Sequence, residues 1–101
     1  MPKTTTPIHL VVSPAAMDFI VMVEQAIPPA AGPLNYMIDR IADGNIERLL
    51  EKTEPVVAEF EDIREFVRGP IRFTLKVGDV EADGTATVLL ITVEVVLTID
   101  Q

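Results

Sequence analysis

Residues 71–99, IRFTLKVGDVEADGTATVLLITVEVVLTI, contain the strongest structural signal in the chain. Ile71, Phe73, Leu75 and Val77 alternate strictly with Arg72, Thr74 and Lys76, the period-two pattern of a half-buried strand. Gly78 and Asp79 interrupt the period before Val80 and Ala82 resume it, which predicts a bulge or bend near Gly78. Asp83-Gly84 is a two-residue turn signal, because both residues tolerate positive φ, so the flanking strands are expected to pair as a hairpin. Beyond it, Leu89, Ile91, Val93, Val95, Leu97 and Ile99 are expected on one side of a long strand. Thr92, Glu94 and Thr98 fall on the other, with Val88, Leu90 and Val96 among them. At about 3.3 Å per residue a straight strand over 85–99 would span about 50 Å, more than a small domain needs. It must curl, break or project into a partner, and its second apolar side needs a helix or another subunit over it.

Upstream, Ile8, Leu10 and Val12 alternate with His9 and Val11 as a short strand. Ser13-Pro14 then opens a helix: the hydroxyl can accept an orphan amide hydrogen, and proline at the first helical position forfeits no bond. That helix is expected from Pro14 to about Ala26. Met17, Phe19, Ile20, Val21, Met22 and Val23 leave it apolar almost all round, so it needs cover on several sides. A buried strand over 19–23 is the competing reading. Pro28, Pro29, Gly32 and Pro33 predict a rigid break inside one domain.

Leu34, Met37, Ile38 and Ile41 recur at helical spacing, Gly44 and Asn45 supply a stop and a cap, and Ile46, Leu49 and Leu50 begin a shorter helix. Pro55 ends it, Val56, Ala58 and Phe60 alternate as a strand, and Phe60, Ile63, Phe66 and Val67 show a helical stripe that Gly69-Pro70 terminates. With 101 residues the chain is expected to form one α+β domain over 1–101. Residues 1–7, rich in Thr and Pro, are a flexible or edge-lying tail.

The formal net charge is -8. It repels phosphate backbones and anionic membranes, so neither nucleic acid nor a membrane is expected as partner. Residues 43–65 carry eight acids against Arg48, Lys52 and Arg64, either as a solvated face or as a surface for a cation or a basic partner. Without cysteine there is no disulfide, thiolate nucleophile or thiolate metal site, so packing or self-association must support the core. Asp18 and Glu24 argue against a membrane span over 8–27, and the N-terminus has no convincing cleavage pattern; a cytoplasmic location is the default expectation.

The run Asp43-Gly44-Asn45-Ile46-Glu47-Arg48-Leu49-Leu50, followed by Val56 to Phe60 and by Asp62 to Val67, resembles the superfamily of nuclear transport factor 2, ketosteroid isomerases and SnoaL-like polyketide cyclases, a cystatin-like α+β group. The resemblance implies a third helix over Ile63 to Val67. It also implies a curled antiparallel sheet packed against two or three helices, and a pocket for small apolar molecules between helices and sheet. The isomerases of that group hold a carboxylate base in the pocket. The chain is short for the group, and its early strand at Ile8 to Val12 departs from the usual start.

Five residues are candidates for chemistry. Asp18 interrupts an apolar helix, where a carboxylate in a dry pocket can gain a raised pKa and take a proton from carbon. Tyr36 and Asp39, three apart, can form an oxyanion-binding pair on one helix. Glu59 and Glu94 are candidate pocket acids in strand patterns. Each has a plainer reading as a wet surface residue. His9 is the only histidine, which excludes His-rich zinc motifs, and no cofactor or metal is expected. Asp79, Glu81 and Asp83 lack the glycine and glutamate of a calcium-binding EF-hand loop, and no phosphate-binding glycine loop or nucleophile elbow occurs.

The leading expectation is therefore a small non-catalytic protein that forms a homo-oligomer, for instance a homodimer, through its sheet, with a small apolar ligand cavity. The rivals are an isomerase or cyclase using a pocket carboxylate, and an engineered or trimmed scaffold with no natural activity.

Overall fold

The computed structural model describes residues 5–95. Its elements run β1 (Ile8–Val12), α1 (Pro14–Ala26), α2 (Pro28–Ala42), α3 (Ile46–Lys52), β2 (Glu54–Val57), β3 (Phe60–Arg68), β4 (Ile71–Val80) and β5 (Ala86–Val95). The five strands form one sheet in the order β1-β5-β4-β3-β2. Strands β2 to β5 form an antiparallel meander, whereas β1 runs parallel to β5, with Ile8 opposite Ala86 and Val12 opposite Leu90. The expectation of a curled antiparallel sheet is overturned: the sheet is mixed, neither curled nor closed, and ends in β1 on one side and β2 on the other. A first strand joining the meander in parallel leaves both outer strands without a closing neighbour.

The three helices lie on one face. Ala16, Ile20 and Val23 of α1, Leu34 and Ile41 of α2, and Ile46 and Leu49 of α3 are buried with Phe73, Leu75, Ala86, Val88, Leu90 and Val93 of the sheet. The Ser13 side chain caps α1 by accepting the Ala16 N–H at 3.1 Å and donates to the Ile91 carbonyl, pinning the helix start to β5. Asn45 caps α3 through the Arg48 N–H at 2.9 Å. On α1, Met17, Val21 and Met22 remain exposed, so the apolar helix is covered on one side only.

Four local expectations change. The segment expected as a helix over 60–67 is β3, and it alternates: Phe66 pairs with Phe73, their rings stacked at 5.8 Å, while Glu65 and Val67 turn to the opposite face. Gly69-Pro70, expected as a helix stop, is instead the loop between β3 and β4, with Gly69 at φ 60 supplying the left-handed residue. The strand expected through Val56, Ala58 and Phe60 ends at Val57; Ala58 and Glu59 form the turn into β3. The break expected at Pro28 to Pro33 is the first half of α2. Pro28 and Pro29 occupy its opening positions, where amide hydrogens lack helical partners in any case, and only Pro33 lies inside the helix.

The 71–80 strand and its hairpin with β5 are present, but the connection runs over residues 81–85 instead of the expected two-residue turn, with Gly84 and not Asp83 at positive φ, and the ladder shifts register between Val77 and Val80. A Cβ at Gly78 would stand 2.9 Å from the Thr87 carbonyl oxygen, so glycine permits the close approach at the irregularity. A second shift, where Thr74 pairs with Thr92 but Leu75 with Leu90, leaves Ile91 as the extra residue. The core side of β5 is thus Ala86, Val88 and Leu90, then Val93, instead of the expected continuous row from Leu89 to Ile99. Residues 96–99 of that expected strand lie outside the described residues.

Candidate functional site

The five chemical candidates occupy separate places. Asp18 is exposed on α1 and Asp39 on α2. Tyr36 is 62% exposed on α2, with the Arg40 guanidinium 6.0 Å from its ring centroid. Glu59 sits in the β2–β3 turn, and Glu94 is exposed on the sheet face away from the helices, opposite Arg72. The structure does not gather them around one cavity. His9 is exposed beside Glu81 and Asp83 at a shallow concavity of about 420 Å³. Among the described residues no three His, Asp or Glu side chains stand close enough together to hold a metal ion, and no helix is long and apolar enough to cross a membrane.

A different feature emerges at the ends of the sheet. The Ala86 N–H donates to the Pro7 carbonyl at 3.0 Å, and the Ser13 N–H donates to the Leu90 carbonyl at 3.0 Å. Parallel pairing alternates, so residues 7, 9, 11 and 13 direct their backbone groups towards β5 while Ile8, Leu10 and Val12 direct theirs out of the sheet. Among the described residues the outward groups of Leu10 and Val12 have no backbone partner, whereas an isolated antiparallel bridge between Pro7 and Asn45 covers the start of the strand and engages the Ile8 N–H side. The strand Ile8-His9-Leu10-Val11-Val12 contains no Asp, Glu, Lys or Arg and no proline, and Val11 is 39% exposed. Thr6 holds its approach in place: its N–H donates to the Glu47 carboxylate at 2.8 Å and its carbonyl accepts the Ile46 N–H at 2.9 Å. The backbone bond from Thr6 keeps the Glu47 pKa below its ordinary value.

The opposite end is built differently. Strand β2 has four residues, all exposed, and includes Glu54 and Pro55. Its anchor is Arg64 of β3. The guanidinium donates from Nε to the Thr53 hydroxyl at 2.7 Å, and from its terminal nitrogens to the carbonyls of Thr53 at 2.8 Å, Leu50 at 3.2 Å and Glu61 at 3.1 Å. Buried Thr53 in turn donates to the Leu49 carbonyl at 2.8 Å. A cation thus satisfies the carbonyls where α3 ends, which the helix dipole also favours.

A larger, open groove of about 940 Å³ runs between α2, α3 and β3, with Tyr36 and Arg40 at its rim. Sequence reading identified β1 as a strand but not as an unprotected edge, because edge position depends on pairing with residues nearly eighty positions away. The absence of Asp, Glu, Lys and Arg from residues 8–12 was the available signal. No family model and no curated protein matches the chain.

Proposed function

We propose that this protein is a non-catalytic α+β domain that assembles with a second copy of itself through β1. The carrying observation is the row of outward N–H and C=O groups of Leu10 and Val12 on an edge strand without Asp, Glu, Lys or Arg. An open edge of this kind is a template for another strand. Two copies related by a twofold axis can pair antiparallel, with Leu10 opposite Leu10, Ile8 opposite Val12, and His9 opposite Val11. The Leu10 groups and the Val12 N–H then gain partners, and two five-stranded sheets become one continuous sheet.

Magnitudes set the expected strength. Four backbone hydrogen bonds at about 0.5–1.5 kcal/mol each, helped by burial of Val11 against its counterpart, oppose an association cost of at least about 4 kcal/mol, so the dimer is weak, with Kd in the high micromolar range or above. Each copy also carries the formal charge of -8. Salt that screens this repulsion should strengthen the dimer, the reverse of assembly by ion pairs.

Sedimentation velocity over roughly 5–500 µM protein, at low and high salt, tests the reading. The expected result is a mass that climbs from 11.1 kDa towards twice that value, earlier at high salt. An unchanging 11.1 kDa across the series would refute it.

A further inference from the structure

We infer that the groove between α2, α3 and β3 is a binding site for an amphipathic anion, a carboxylate carried on an apolar chain. The inference is independent of assembly through β1. Four of the chain's eight Lys and Arg residues line this groove: Arg40 from α2, Arg48 and Lys52 from α3, and Arg68 from β3. In a protein with a formal charge of -8, half of the cations have converged on one concavity. None of the four forms an ion pair within 4.0 Å among the described residues, where the one such pair is Arg72 with Glu65 on the other sheet face.

Three acids, Asp43, Glu47 and Glu51, also line the groove, so its formal charge is +1 (four cations less three acids) against -8 for the whole chain. They do not neutralise the cations by contact, and the Glu47 carboxylate already accepts the Thr6 N–H. Helix α3 sorts its charges into rows: Glu47 and Glu51 are four apart, as are Arg48 and Lys52, and each is a like-charge pair that disfavours an isolated helix. A row of cations without contacting anions supplies donors for an oxyanion from outside.

The rest of the lining selects the body of that ligand. Met37, Ile41, Leu49 and Phe66 contribute apolar surface between the helices and the sheet. A volume of about 940 Å³ lies at the upper end of the size range of small-molecule sites. A hydrophilic anion would leave this surface unused, and an uncharged apolar molecule would leave the cations unused. A carboxylate with an alkyl or aromatic body uses both.

The test is a titration of the full chain followed by amide NMR shifts, using dodecanoate below its micelle-forming concentration, acetate, and dodecyltrimethylammonium. Dodecanoate should saturate with shifts centred on Met37, Ile41, Leu49 and Phe66, and bind at least tenfold more tightly than either other probe. Arg48→Gln with Lys52→Gln should weaken dodecanoate at least fivefold without altering the folded spectrum, while Lys76→Gln, on the opposite sheet face, should change nothing. Val11→Lys should leave dodecanoate binding intact, which separates this site from assembly. Equal binding of the cationic amphiphile, shifts centred outside the groove, or indifference to the double substitution would overturn the assignment.

Discussion

The two ends of the sheet face the same physical problem with opposite constructions. Strand β2 is short, carries Glu54 and Pro55, and is tied back to α3 through Arg64, which leaves little for another strand to join. Strand β1 has no Asp, Glu, Lys, Arg or proline, and past the Pro7–Asn45 bridge it offers the backbone groups of Leu10 and Val12 outwards. Protection at one end shows that openness at the other is not a general property of the fold. Exposed apolar side chains do not discriminate between the ends, since Val56, Val57 and Phe60 near β2 are as accessible as Val11. Backbone availability, charge and proline do.

Removing the anchor should have the largest effect. Arg64→Ala deletes four hydrogen bonds and leaves the buried Thr53 region under-satisfied, so unfolding in urea should show a loss of about 2–3 kcal/mol. Arg64→Lys should recover less than half of it, because an ammonium cannot reproduce the planar fork. A loss below about 0.5 kcal/mol would mean that the β2 end is held by something else.

Towards the β1 end, Gly78→Ala would drive a methyl against the Thr87 carbonyl. A cost of about 1–2 kcal/mol is expected, with slower-protected amides of β4 and β5 becoming faster in hydrogen exchange. Unchanged exchange would show that the ladder absorbs the intrusion.

Exchanging the character of the edges sharpens the contrast further. Val11→Lys should raise the dimer Kd at least tenfold, about 1.4 kcal/mol, with little change in monomer stability. Glu54→Thr with Pro55→Val should add association at the other end, read as species larger than a dimer in sedimentation. If neither variant alters association, edge chemistry does not govern it.

The smallest effect concerns the turn that feeds β5. Asp83 accepts the Thr85 hydroxyl at 2.7 Å and the Thr85 N–H at 3.0 Å, which hold its carboxyl below its ordinary pKa. The folded pKa is the lower one, so the stabilisation is present above the unfolded value and lost as pH falls through the folded one. Asp83→Asn should therefore lose stability less steeply than the parent protein as pH falls below about 4. Parallel pH curves would assign the acid sensitivity to other groups.

Sequence legibility followed the range of the interactions. Ser13-Pro14 and Asn45 were readable because a cap is decided by neighbours within a few positions, and Asp83-Gly84 located the hairpin but not the length of its loop. Residues 60–67 were not, since Phe60, Ile63, Phe66 and Val67 satisfy a helical stripe, while the period-two alternation of Arg64 and Phe66 acquires meaning only beside Thr53 and Phe73. Pro28 and Pro29 suit a helix opening as well as a break. The groove cations come from three elements, and only Arg48 and Lys52, one turn apart, were visible as a pair. No candidate acid led to the groove; Tyr36 alone among the five lines it.

The parallel partnership of β1 with β5 has a kinetic consequence. Ser13 reaches Ile91 across 78 positions of chain, and Ala16, Ile20 and Val23 acquire their floor only when β5 has taken its place. Loop closure on that scale must precede the contacts that reward it, which places this topology among the slower small domains to fold. During synthesis on a ribosome β1 is made well before β5, so its apolar side chains wait until residues 86–95 have emerged before finding shelter.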